Sequence, residues 1–289
     1  MTNADRPLRS ALYMPAANER ALEKAKTLPA DAVIFDLEDA VAPEAKESAR
    51  AAACAAASSG QYGRRQLAIR CNGLDTSWGA ADLEAIAVST AAAVVVPKVN
   101  SVAYLDDVSR RLDAAGAPES MTVWAMVETP TAIFDARAIA AHPRVSVLVM
   151  GTNDLARELR VPLAAGRRAL LPHLATALLA AREAGKSILD GVFNDVKDPD
   201  GFARECAEGV ELGFDGKTLI HPSQVEIANL AWAPSEADVE QARRIITAFE
   251  EAIADGRGVV TVDGRMIENL HVANAQRTLA IAESIAALD

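Results

Sequence analysis

The hydrophobic positions of this chain gather in short unbroken runs rather than in alternation with polar ones. Ala93-Val94-Val95-Val96, Val123-Trp124-Ala125-Met126-Val127 and Val147-Leu148-Val149-Met150 are apolar at every position. Strands covered on both faces read this way. Longer segments with helical periodicity lie between the runs. Strands are predicted at residues 10–15, within 32–41 (where Val33, Ile34 and Phe35 form the apolar run), and at 67–72, 93–98, 123–128, 145–151, 187–190 and 216–221. Helices are predicted near 19–26, 44–58, 82–89, 104–115, 131–141, 170–184, 201–212 and 224–231.

Eight strand-then-helix units predict an α/β fold of the (β/α)8 TIM-barrel type over residues 1–232. A doubly wound open sheet is the alternative, but no glycine-rich dinucleotide fingerprint follows the first strand. Residues 233–289 continue as a helix over 236–254, a Gly256-Arg257-Gly258 break, a strand-like 259–264 and a final helix. This extension is too short to bury a core of its own. It is expected to pack on the barrel or a neighbouring subunit, or to serve as a lid.

Composition narrows the function. The net charge of −11 argues against nucleic acid or an anionic membrane as a partner, though not against an anionic ligand held by local Lys and Arg. No apolar stretch is long enough to span a bilayer and the N-terminus lacks a signal-type apolar region, so a cytoplasmic protein is expected. Cys54, Cys71 and Cys206 are widely spaced and suggest neither disulfides nor zinc.

Chemistry in such barrels sits at the C-terminal ends of the strands. Those ends carry Asp36, Glu38 and Asp39; Arg70 and Asn72; Lys98; Glu128; Asn153 and Asp154; Asp190; and Lys217 with His221. Carboxylates gathered on one rim repel unless protons or cations neutralise them. Mg²⁺ suits this set, because it takes few protein carboxylates and keeps positions for water and substrate oxygens. Glu128 and Asp154 are the expected metal ligands, each following an apolar run with no adjacent cation. Helix capping is the competing reading for both. For the acidic run at 36–39 it is a solvated turn.

Several motifs resemble the HpcH/HpaI aldolase and citrate lyase β-subunit family, and within it the branch acting on malyl-CoA. They are Asp36-Leu37-Glu38-Asp39-Ala40-Val41-Ala42-Pro43, Arg70-Cys71-Asn72-Gly73, Val96-Pro97-Lys98, Val127-Glu128-Thr129, Gly151-Thr152-Asn153-Asp154-Leu155 and residues 213–222. The resemblance implies a Mg²⁺-dependent TIM barrel in homotrimers or homohexamers, with the metal on Glu128 and Asp154. It implies that Arg70 contacts the reacting oxygens, and that Asp36, Glu38 and Asp39 order metal-bound waters and nearby cations. Lys98 is expected to contact substrate. Tyr13 and Lys24 match positions that touch coenzyme A in relatives. Asn18 stands where a basic residue is usual, and Arg20 is its expected replacement; a solvated helix face is the competing reading for Arg20 and Lys24.

The resemblance implies that in lyases of this branch the proton donor is an Asp in a Met-Ile-Asp motif on the C-terminal lid, reaching a neighbouring subunit's site; here the motif is Met266-Ile267-Glu268-Asn269. One extra methylene displaces a proton donor. The Glu-Asn-Leu-His version resembles relatives that hydrolyse (3S)-malyl-CoA, where the carboxylate activates water. Hydrolysis of a CoA thioester is therefore expected ahead of carbon–carbon cleavage. Capping of the last helix is the structural alternative for Glu268. A non-catalytic or acyl-carrier-dependent subunit is the reading from another class, and the lid argues against it because citrate lyase β chains are expected to lack one. An aldolase acting on free hydroxy acids is the third.

Overall fold

The computed structural model describes residues 6–163, 166–254 and 260–288. Its chain divides into two compact units, Leu8–Ala231 and a second built mainly from Trp232 onward.

In the first unit β1 (Ser10–Pro15), β2 (Ala32–Asp36), β3 (Gln66–Arg70), β4 (Ala93–Val96), β5 (Thr122–Val127), β6 (Val145–Met150), β7 (Ser187–Asp190) and β8 (Gly216–Leu219) pair in parallel, in sequence order. The ring closes where Ser10, Ala11 and Leu12 meet Lys217, Thr218 and Leu219. This is a TIM barrel. The helices are α1 (Glu19–Ala25), α2 (Lys46–Ser58), α3 (Gly79–Ala87), α4 (Val102–Ala114), α5 (Pro130–Ala141), α6 (Thr152–Leu159), α7 (Leu171–Glu183), α8 (Pro199–Leu212) and α9 (Val225–Ala231).

Side chains of a strand alternate between faces, and the register fixes which residues point inward. The interior cluster holds Ala11, Ala32, Ala68 and Ala93 on four neighbouring strands, with Trp124 of β5 in the same cluster. The small side chains leave room for the indole. The next inward layer adds Ile34, Val95, Met126, Val149 and Leu189, with Tyr13 packed on it. Two residues further along β2 and β3 the same inward parity reaches Asp36 and Arg70, which are register partners. The apolar core therefore ends where charge begins.

One element departs from the sequence reading. Residues 152–159 form α6, where only a loop was expected before the helix near 170. Asn153 and Asp154 read as rim residues, but with Thr152 they also fill a first helical turn, with Asp154 favourably placed at its positive end.

The second unit contains α10 (Glu236–Ala254), β9 (Val260–Val262), β10 (Arg265–Ile267) and α11 (Asn269–Ala286). The strand-like run is half of an antiparallel hairpin turning at Asp263-Gly264, both with positive φ (49° and 76°). An Asp-Gly pair provides that conformation. The Gly256-Arg257-Gly258 break lies outside the described residues.

Candidate active site

Asp36 and Arg70 are the centre of the site. Arg70 Nε donates to Asp36 Oδ1 at 2.6 Å and Nη2 to Oδ2 at 2.7 Å, a fork-on-fork pair that only guanidinium geometry makes. Its Nη1 meets Glu38 Oε2 at 2.9 Å and Asp39 Oδ2 at 3.6 Å. The guanidinium lies 4.8 Å from the centre of the Tyr13 ring. Burial alone would weaken the charge on Arg70; Asp36, Tyr13 and Glu38 together outweigh it and hold the group firmly cationic. Burial pushes the Glu38 carboxyl up, against the pull of Arg70. The acidic loop is shaped from within, since Asp36 also accepts the backbone N–H groups of Glu38 (2.9 Å) and Ala40 (3.2 Å).

Glu128 follows β5 and is 1% exposed. Its Oε1 accepts the backbone N–H of Lys98 at 2.6 Å, and Lys98 Nζ reaches Glu38 Oε1 at 3.1 Å. Lys98 holds both carboxylates from a left-handed backbone, φ 50°, which costs a non-glycine residue about 1–2 kcal/mol. A Cβ on Gly151 would stand 2.3 Å from both Cβ and Oε2 of Glu128, so glycine is required there. Asp154, in the first turn of α6, pairs with Arg157 at 2.7 Å. Burial first, then the negative charge of Glu38 and Asp154, pushes the Glu128 carboxyl up to about 8. A cavity of about 320 Å³ opens over this floor, lined among others by Tyr13, Asp36, Arg70, Glu128, Asp154 and Thr218.

The family model for HpcH/HpaI aldolase/citrate lyase matches residues 9–222. The chain belongs to this family. It is 51% identical over 287 residues to a (3S)-malyl-CoA thioesterase of Cereibacter sphaeroides, covering 99% of each chain. It is 35% identical over 284 residues to citrate lyase subunit beta of Escherichia coli K12, covering 96% of this chain and 94% of that one. The crystal structure of CitE from Mycobacterium tuberculosis in complex with magnesium, acetoacetate and coenzyme A superposes with a TM-score of 0.78 at 30% identity, over 96% of this chain and 98% of that one. The match to the Escherichia coli subunit corrects one expectation. An alignment over 96% of this chain leaves no room to omit the C-terminal extension, so its presence does not set this protein apart from citrate lyase β chains.

With this family in view, the donor set can be tested against Mg²⁺. Glu128 and Asp154 are hard-oxygen donors bordering one cavity. Burial and the neighbouring carboxylates destabilise the Glu128 anion more than Arg70 relieves it, while Asp154 shares its carboxylate with Arg157, against the expectation that neither had a cation nearby. Among the described residues no three or more His, Cys, Asp or Glu converge as a cage. Two carboxylates with the remaining positions left to water and substrate are the pattern Mg²⁺ takes. The residues fit the ion.

Other expected residues fall into three groups. Arg20 and Lys24 are exposed, four positions apart on α1, and neither is in an ion pair among the described residues. Asn18 serves the fold, because its side chain caps α1 by accepting from Ala21 N at 3.1 Å. Asn153 is locked to Asn194 in a reciprocal amide pair, and His221 is exposed and bonded to Ser223. Asp190 and Lys217 do not reach the rim at all. Their neighbours Leu189 and Thr218 point inward, so they point outward, where Lys217 Nζ meets Asp190 at 2.9 Å and Glu205 at 2.8 Å, and Arg167 meets Asp190 at 2.7 Å. Glu268 lies in the second unit as the N-cap residue of α11, and its backbone N–H donates to His271 Nδ1 at 3.1 Å. Thr152, Thr218, Met126 and Met150 line the cavity without having been assigned a role; inward strand parity would have found Thr218 and Met126, but not Met150, which follows inward-facing Val149.

Proposed function

We propose that this protein is a Mg²⁺-dependent hydrolase of (3S)-malyl-CoA, releasing malate and CoA. The observation that carries the reading is 51% identity across 99% of both chains to a thioesterase of that name. The cavity supports it with a fixed cation, two hard-oxygen ligands and room for a short acyl group.

Glu128 and Asp154 hold the metal in this proposal. Bound Mg²⁺ supplies a Lewis acid for the substrate's oxygens and offsets the charge of the two carboxylates. Two of the five N–H donors of Arg70 are taken by Asp36 at 2.6 and 2.7 Å, and its Nη1 is ion-paired with Glu38 at 2.9 Å. The remaining N–H groups face the oxyanion that develops at the thioester carbonyl in this reading, and a guanidinium cannot titrate away during that step. Asp36, Glu38 and Asp39 fix Arg70 and order waters beside the metal. Glu268 of a neighbouring subunit, as the motif's likeness to the lyases of this branch implies, takes the proton from the attacking water. Water oxygen bonds to the acyl carbon, the C–S bond breaks, and the proton passes to the departing CoA sulfur. Tyr13, Arg20, Lys24 and Lys98 contact the CoA thioester. Assembly is as a homotrimer or homohexamer.

Product analysis with (3S)-malyl-CoA and Mg²⁺ is the test. Malate and free CoA without glyoxylate are expected. Glyoxylate with acetyl-CoA would overturn hydrolysis in favour of carbon–carbon cleavage. Turnover only beside co-purified subunits would point to a citrate lyase-type complex.

A further inference from the structure

Lys46 is a buried lysine, 6% exposed, at the first position of α2. That is the wrong end of a helix for a positive charge, since the unpaired N–H groups there favour anions. Among the described residues it also makes no direct carboxylate pair. Its ammonium donates to the carbonyls of Leu37 and Glu38, both at 2.7 Å, and to Asn72 Oδ1 at 2.8 Å. The indole of Trp78 lies on another side, 5.3 Å from Nζ to the ring centroid. An ammonium surrounded by neutral acceptors loses hydration without a counter-charge in contact. Burial accordingly lowers its pKa, while the charges of Asp36, Glu38 and Asp82 pull the other way.

What the three bonds hold is the loop that carries the site. Leu37 and Glu38 lie between Asp36 and Asp39, the residues that grip Arg70. Asn72 is braced in turn, because Asp82 Oδ2 accepts both its backbone N–H (2.8 Å) and its Nδ2 (2.6 Å), and Arg50 holds the other oxygen of Asp82 at 2.6 Å. A chain of contacts thus runs from α2 and α3 through Lys46 to the carbonyls beneath Glu38. We infer that Lys46 is a positioning residue for the reaction: it fixes the 37–39 loop so that Glu38 and Asp39 meet the guanidinium of Arg70. It is not among the residues lining the cavity and acts only through the loop.

The kinetic side of this inference rests on the thioester-hydrolase reading; a hydrogen-exchange measurement does not. In Lys46→Met, amide exchange over residues 37–41 should rise at least about tenfold while the barrel strands keep their protection. In the same protein kcat on (3S)-malyl-CoA, per folded molecule, should fall by about ten- to a hundredfold with KM within about threefold. Lys46→Arg keeps the charge but cannot bring three donors to one point, and should recover only part of the loss. A kcat within about twofold of the parent overturns the inference, as does a lowered kcat with unchanged loop exchange. Should Lys46→Met not fold, Lys46→Gln is judged by the same two readings. A parent protein inert toward (3S)-malyl-CoA overturns the functional reading instead, and the exchange arm alone then decides for Lys46.

Discussion

Glu128 carries its proton further up the pH scale than a solvated carboxyl, to about 8 from an ordinary 4.5. The sign of the consequence is fixed by linkage. Between those two values the folded chain holds a proton that the unfolded chain has released, so metal-free protein loses stability as pH rises from 4.5 to about 8. Mg²⁺ must displace that proton. Its affinity should therefore climb by about tenfold per pH unit and level off above about 8. Titration calorimetry across that range checks it, and a flat profile would remove Glu128 from the metal. The residue scale also shows where legibility ended. Glu128, Asp154 and Arg70 stood out because charge followed an apolar run. Lys46 did not, because its acceptors are carbonyls eight and nine residues back and an amide 26 residues on, a pattern with no period.

At the scale of elements, most of the eight strands were readable because burial on both faces writes an unbroken apolar run into them; β8, Gly216-Lys217-Thr218-Leu219, has none and was legible from its place in the repeating order. Helix α6 was not, since its first turn is made of the same polar residues that line the cavity. Asp190 and Lys217 were misplaced by reading strand ends without strand parity. Between barrel wall and helix layer they form a fully buried ion pair, and removing one partner of such a pair costs about 3–5 kcal/mol. Lys217→Met should lower stability to urea by about that amount while turnover per folded molecule stays near the parental value. Loss of turnover in fully folded Lys217→Met would mean that the outward-facing pair serves the reaction after all.

Over the whole molecule the net charge is −11, and the proposed substrate is itself a polyanion. Association then proceeds against a repulsive field, which salt screens over about 30 Å at 0.01 M and about 8 Å at 0.15 M. With free Mg²⁺ held constant, kcat/KM should rise across that range of KCl. A fall would put local cations such as Arg20 and Lys24 in control of encounter. The closed barrel has one more effect at this scale. A sheet that returns on itself offers no unpaired row of N–H and C=O groups for another chain to extend. Among the described residues, open strand edges belong to β9 and β10, which are three residues long and joined at charged Asp263 and Arg265. Fibrous aggregation by strand addition is thus confined to that small hairpin, or must wait until a barrel has already come apart.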